Sequence, residues 1–229
     1  MMIVHPRVAA SDNTDLFNSL MQVQPASLGH YLASGSISSG IRALVPVQRM
    51  VGRAVTIKQP LPDGVPVHLA LDELRKGDIL VIDRQGDHQV ACVGEMVARA
   101  AFHAGAAGIV VDGVVTDIEE LATIGLPIYA RGTSVITTRS LGLPGAELFG
   151  TVVIGGVAIS TGDILFGDMN GVLRLDVSDV DIQNLLERAF ADERREVEWR
   201  QRLACGESLA ELNGARQRAA SARSVADTP

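Results

Sequence analysis

The stretch "GEMVARAAFHAGAAGIVVDGVVTDIEEL", residues 94–121, decides the fold. Its opening, "GEMVARAAFHAG" (94–105), reads as a helix, with Gly105 placed to cap the C-terminus. "GIVVDG" (108–113) follows as a short apolar strand of the kind buried on both faces. "IEELATIG" (118–125) is a second helix, ended by Gly125. Helices of this length alternating with buried strands imply βαβ units and a parallel sheet, an α/β fold.

The same texture extends upstream. "AVTIKQ" (54–59) and "DILVID" (78–83) read as strands, and "VHLALDEL" (67–74) as the helix between them. Before residue 50 the Ser- and Gly-rich "LASGSISSGIRAL" suggests a short helix and loops of the same domain. After residue 150 the chain turns strand-rich in "TVVIGGVAI", "DILFGD" and "VLRLD". The turns "TGD" and "DMNG" between them predict hairpins packed on the same core.

A core over 51–177 therefore gives way to a helical segment over 178–229. "SDVD" (178–181) reads as a capping box, and Ile182, Leu185, Leu186, Ala189 and Phe190 keep helical apolar spacing. The following "ADERREVEWRQRL" is charged with both signs and holds Trp199, the only tryptophan. A helix so charged is expected to be an arm docking on another subunit, with a frayed tail beyond it.

Composition narrows the function. The 229 residues are 47% hydrophobic, enough for one substantial core. A net charge of −7 and 3% aromatics argue against a nucleic-acid partner, which needs a basic stripe or stacking platforms. No apolar run approaches the roughly 20 residues of a membrane span, and "MMIVHPRVAA" lacks a secretory core. Two distant cysteines, Cys92 and Cys205, offer no disulfide framework, so a reduced, cytoplasmic setting is expected.

Several chemistries are not written in the chain. It has no Walker loop, and its five histidines lack metal-ligand spacing. The only lysines are Lys58 and Lys76, neither in an evident apolar pocket for a Schiff base. Cys92 reads as a small buried residue and His88 as a loop histidine. Carboxylates and backbone amides remain.

Each acid has an ordinary reading. Asp117 and Glu120 form D-x-x-E, a capping box for the helix at Ile118, and Glu95 complements its own helix's dipole. A second reading comes from topology. Gly94 and Asp117 both leave strand carboxyl ends, the edge where open α/β sheets bind ligands. A helix opening at Gly94 offers the N–H groups of Glu95, Met96 and Val97 to an anion. Such an anion is repelled by Glu95 and Asp117 unless a hard divalent cation, Mg²⁺ or Mn²⁺, lies between them.

"PVHLALDELRKGDILVID", "GEMVARAAFHAGAAGIVVDGVVTDIEELATIGLPIYARGT" and "GDILFGDMNGV" resemble the RraA-like family, over roughly residues 50 to 214 including "RLACGESLAEL". The family includes class II 4-hydroxy-4-methyl-2-oxoglutarate/4-carboxy-4-hydroxy-2-oxoadipate aldolases, which also decarboxylate oxaloacetate, and the RNase E regulator RraA. The resemblance implies a swivelling β/β/α domain, a trimer or dimer of trimers, and sites at subunit clefts. It also implies a Mg²⁺-dependent lyase acting on a 2-keto acid with a pyruvyl unit, by retro-aldol cleavage of a 4-hydroxy-2-oxo dicarboxylate or by oxaloacetate decarboxylation, with Asp117 holding the metal and Gly94, Glu95, Met96 and Val97 holding the pyruvyl carboxylate. Glu95 would be a water-mediated metal ligand and proton shuttle.

One position departs from the pattern: the family's arginine before the aspartate is Thr116 here. Losing such a donor costs about 10²–10³ in rate. Arg131 and Arg84 are the candidates to replace it, or are solvated surface residues. Regulators of the RraA type tend to lose the metal aspartate, which this chain keeps. The competing expectation is a non-catalytic regulator binding a protein partner such as a ribonuclease.

Overall fold

The computed structural model describes residues 1–7, 13–46, 48–176 and 181–226, with side chains as far as 221. Its centre is four parallel strands side by side in chain order: β1 (Met50–Lys58), β2 (Asp78–Asp83), β3 (Gly108–Asp112) and β4 (Ile128–Ala130). They are joined by α1 (Val65–Asp72), α2 (Glu95–His103) and α3 (Ile118–Ile124). Every residue of β2 and β3 is buried, as runs such as "ILVI" and "GIVV" require.

The sheet continues on both edges. The outer edge of β1 is divided. Glu147–Leu148 lies antiparallel to its C-terminal end. β7 (Ile164–Asp168) lies antiparallel to its N-terminal half, and β8 (Gly171–Leu175) pairs with β7. β5 (Thr151–Ile154) and β6 (Val157–Ser160) form a separate hairpin. Its turn residues Gly155 and Gly156 both have positive φ, 53° and 86°, which a two-residue hairpin turn demands.

Alternation along the strands sorts the core into two layers. Leu80, Ile82, Ile109 and Val111 pack with Ala98, Ala101, Leu121 and Ile124 of the helices. Their neighbours Ile79, Val81 and Val110 face the other way, onto Val152, Ile154 and Ile159 of the hairpin. Helices thus cover one face and hairpins the other, the mixed α/β architecture expected.

Element edges differ from the sequence reading where capping or pairing overrides pattern. α1 runs 65–72 rather than 67–74, because Pro66 sits in its first turn, where a missing N–H is harmless. β1 starts four residues early, at Met50, because β7 pairs with Met50–Arg53. The helices of the N-terminal region are Thr14–Leu20 and Pro25–Gly29, while "LASGSISSGIRAL" contributes the short strand Arg42–Ala43, antiparallel to Tyr129–Ala130, and a bridge from Ser36 to Leu173. α2 ends as predicted: Gly105 is left-handed, Ala106 N–H bonds Ala101 O and Gly105 N–H bonds Phe102 O.

The chain divides into two compact units, Met1–Ile182 and Gln183–Pro229. The second holds most of α4 (Ile182–Ala204), with short helices Leu209–Leu212 and Ala215–Ala226 after it. Arg195 pairs with Asp192 along α4 and lies 5.1 Å over the Trp199 ring. The first three residues of the "SDVD" box (178–181) lie outside the described residues.

Candidate functional site

Two short bridges at the carboxyl edge of the sheet build the site. Val114–Val115 pairs in parallel with Gly132–Thr133, and Val115 also bridges Val93. Thr116 N–H bonds Val93 O at 2.9 Å. The residues that follow, Gly94 on one side and Thr116 and Asp117 on the other, therefore emerge together.

Asp117 adopts a left-handed conformation, φ 56° and ψ 45°. Outside glycine this region is sparsely used and costs about 1–2 kcal/mol. The turn aims the carboxylate away from its own helix: Asp117 makes no side-chain cap bond to α3. Its Oδ2 instead accepts the Glu95 N–H of α2 at 2.9 Å, and its Oδ1 accepts the Thr116 hydroxyl at 3.2 Å. The D-x-x-E capping box is not formed. Asp117 satisfies the amino end of a different helix, 22 residues upstream.

Gly94 makes this approach sterically feasible. A Cβ placed there would lie 2.5 Å from Asp117 Oδ2 and 2.8 Å from Thr116 Cγ2. Its φ of −134° is ordinary extended backbone, so closeness rather than conformation selects glycine.

With Glu95 N–H used, Met96 and Val97 N–H at the start of α2 have no hydrogen-bond partner among the described residues. They carry the helix's positive end toward solvent beside Asp117, which is exposed. The Glu95 side chain is paired along its own helix. Its Oε1 accepts from Arg99 Nε at 2.7 Å, one turn along α2, with both side chains substantially exposed. Such an i,i+4 pair is worth about 0.3–0.5 kcal/mol and does not lock the carboxylate. Glu119 and Glu120 are exposed on the first turn of α3.

Neither replacement arginine is free. Arg84 is fully buried, not a surface residue, and Nη1 donates to Gln59 O and Leu61 O, both at 2.8 Å, while Nη2 pairs with Asp87. It ties the loop after β2 to the Gln59–Leu61 segment that follows β1. Arg131 Nε pairs with Asp112 Oδ1 at 2.5 Å. Cys92 is buried, and burial pushes its thiol up to about 12, which removes it as a nucleophile. His88 is exposed on its loop.

Sequence reasoning missed the buried acids that brace this edge. Asp83 and Asp112 are in-register neighbours ending β2 and β3. Val153 N–H donates to Asp83 at 3.3 Å and Gly155 N–H to Asp112 at 2.7 Å, which fastens the 151–160 hairpin to the sheet. Asp63 accepts N–H groups of Val65, Leu141 and Leu143. The available signal was the acid closing each apolar strand, in "DILVID" and "GIVVD".

Among the described residues no three His, Cys, Asp or Glu side chains gather as a metal cage. Asp117 alone suits a looser site. Each of its oxygens accepts one protein hydrogen bond and retains a lone pair, and the residue is exposed. Magnesium often binds through one or two carboxylates while keeping several waters, so these residues fit a hydrated ion completed by ligand oxygens.

A parallel sheet covered by helices on one face and hairpins on the other defines a mixed α/β domain, with an acid and free amides at the carboxyl edge where such sheets commonly bind ligands. The chain belongs to the RraA-like family, whose model, described as "Aldolase/RraA", matches residues 11–174. That match begins well before residue 50 and stops before the tail pattern at 202–212. A Halalkalibacterium halodurans protein named "Putative 4-hydroxy-4-methyl-2-oxoglutarate aldolase" is 34% identical over 137 residues, 60% of this chain. The match spans 64% of that relative's length. Streptomyces coelicolor RraAS2, titled an unusual member of the RNase ES inhibitor RraA family, superposes with a TM-score of 0.72 at 28% identity. That superposition covers 84% of this chain and 98% of RraAS2. The Thermus RNA-processing inhibitor RraA gives a TM-score of 0.58 at 26% identity, over 73% of this chain and 93% of that one.

Proposed function

We propose that this protein is a divalent-metal-dependent lyase that cleaves a 2-keto acid containing a pyruvyl unit, by retro-aldol cleavage of a 4-hydroxy-2-oxo acid or by decarboxylation of oxaloacetate. The observation that carries the reading is Asp117. Its carboxylate is held in a left-handed turn against the open amides of α2 rather than on its own helix. Like-charge repulsion at 4 Å is about 4 kcal/mol near a protein surface, so an anion binds there only with a cation between.

Asp117 would hold Mg²⁺ or Mn²⁺ together with waters. When bound, the ion polarises the 2-keto oxygen as a Lewis acid and offsets the negative charge that develops as the carbon–carbon bond breaks. Met96 and Val97 N–H would hold the pyruvyl carboxylate and fix its orientation. Gly94 lets the acid and the amides stand close enough to share one ligand. Thr116 contributes a neutral hydroxyl that orients Asp117. Glu95 Oε2, the oxygen not taken by Arg99, would accept the substrate's hydroxyl proton through a water and return it to the product carbon. Assembly as a trimer or a dimer of trimers belongs to the same reading.

The experiment is pyruvate release from a 4-hydroxy-2-oxo monoacid, 4-hydroxy-4-methyl-2-oxoglutarate and oxaloacetate, with Mg²⁺ and with EDTA. Turnover of at least one, abolished by EDTA and restored by metal, is expected. Absence of turnover on all three from a folded protein would leave the second reading, an RraA-like regulator of a protein partner. Two observations favour that alternative: Thr116 brings no charge, and one Glu95 oxygen is taken by Arg99.

A further inference from the structure

We infer that Arg84 is a positioning residue for this site: a buried strut that sets the spacing between its two halves, Gly94 with the α2 amides and Thr116 with Asp117. It acts through the backbone segments that carry those residues. The inference rests on the lyase reading and names what fixes the geometry which that reading needs.

Arg84 follows β2 directly and is fully buried, where a charged side chain is rarely found unless paired. Its guanidinium spans Gln59 O, Leu61 O and Asp87. From this side chain two routes lead to the site. The first runs along the end of β3. Arg84 N–H bonds Asp112 O at 3.3 Å, and its aliphatic stem lies against Gly113. A Cβ at Gly113 would stand 2.5 Å from Arg84 Cγ and 3.0 Å from Arg84 Cβ. Gly113 opens directly into Val114–Val115, and Thr116 and Asp117 come next.

The second route runs through Asp87. Its Oδ2 takes the Arg84 guanidinium, while its Oδ1 accepts Gln89 N–H at 2.8 Å and Val90 N–H at 3.1 Å. Val90–Ala91 then pairs with Ile136–Thr137 and leads to Val93, whose O accepts Thr116 N–H at 2.9 Å, and to Gly94. The two routes end on the two sides of one gap, the 2.9 Å bond from Glu95 N–H to Asp117 Oδ2. Arg84 is common to both.

A guanidinium suits this duty. Its planar fork reaches two carbonyls and a carboxylate in fixed directions, whereas lysine offers a point charge on a flexible stem. Arg84 therefore does not stand in for the family arginine absent at position 116. It steadies the residues on either side of that position.

The test uses the full-length protein and two variants. Arg84→Lys keeps the charge and loses the fork; Gly113→Ala keeps the guanidinium and crowds its stem. Val172→Ala is the control, a core truncation in β8 near the amino-terminal end of β1 and away from the carboxyl edge. Hydrogen exchange at Glu95 N–H reports the gap with no ligand present. Mn²⁺ affinity by electron paramagnetic resonance, with and without pyruvate, reports whether both halves still act on one ligand. In Arg84→Lys and Gly113→Ala the exchange should quicken, and the tightening of Mn²⁺ by pyruvate should shrink about fivefold or more, with Mn²⁺ alone bound nearly as in the parent. Val172→Ala should leave both readouts as they are. Unchanged exchange and unchanged tightening in Gly113→Ala and in folded Arg84→Lys would overturn the inference, and so would equal changes in Val172→Ala. Pyruvate release by the parent reports the lyase reading separately. A parent that releases none, while Glu95 N–H loses protection in both variants but not in the control, would fail that reading and uphold this one.

Discussion

Replacing Gly94 by alanine isolates the contact on which the site depends. The added methyl would stand 2.5 Å from Asp117 Oδ2, whereas ordinary van der Waals contact begins near 3.4 Å. The carboxylate must therefore retreat by about 0.9 Å, which stretches its 2.9 Å bond from Glu95 N–H beyond hydrogen-bond range. Alanine tolerates the local φ of −134°, so the backbone itself is not strained. Losing one hydrogen bond to a charged group lowers stability by about 1.5–3 kcal/mol, and part of this returns as Asp117 rehydrates at its exposed position. A displacement near 1 Å in a reacting constellation costs about 10²-fold in rate. Gly94→Ala is thus expected to fold, with stability reduced by about 1–2 kcal/mol in urea titration and metal-dependent pyruvate release reduced about 100-fold. A variant with unchanged activity and unchanged stability would refute the idea that Gly94 holds Asp117 against α2.

Other perturbations read neighbouring parts of the structure. Burial pushes the Asp63 carboxyl up, but backbone N–H groups of Leu141, Val65, Leu143 and Gly142 outweigh that and hold it below the usual carboxylate value. A depressed folded value means its stabilisation is complete above about pH 4 and fades as pH falls further. Asp63→Asn should therefore cost about 2 kcal/mol at pH 7 by urea titration, with the gap to the parent protein narrowing below pH 4. With its thiol pushed to about 12 by burial, Cys92 should resist a thiol reagent at pH 8 in the folded protein, and only exposed Cys205 should react. Denaturant should release the second thiol, and rapid reaction of both without it would contradict the burial. Arg99→Met frees an uncompensated Glu95 carboxylate beside the amides, so KM for the keto acid should rise about three- to tenfold with kcat little changed, and calorimetric binding of pyruvate, weakened by the same factor, should be restored when Glu95→Gln is added.

Most of the scaffold was legible because its signals are local. Strands such as "DILVID" and "GIVVD" are apolar throughout, and Gly105 and Gly125 stop their helices where glycine alone is comfortable. The start of β1 at Met50 was not legible, since it depends on β7, more than a hundred residues later. The site was legible as a set of residues but not as a geometry. Sequence placed Asp117 and Glu120 at capping spacing, and nothing within that window shows that Asp117 turns left-handed and bonds another helix. Arg84 shows the same limit. An arginine after an apolar strand reads as surface, yet its guanidinium is buried on carbonyls contributed by a loop 23 to 25 residues away.

The most direct test of the Asp117 site is Mn²⁺ binding, followed by electron paramagnetic resonance, to the parent protein and to Asp117→Asn, each with pyruvate present. One saturable Mn²⁺ site per chain that pyruvate tightens, and that Asp117→Asn loses while keeping its fold, is the predicted result. Equal Mn²⁺ binding by both proteins would contradict the assignment of Asp117 as the metal-holding residue.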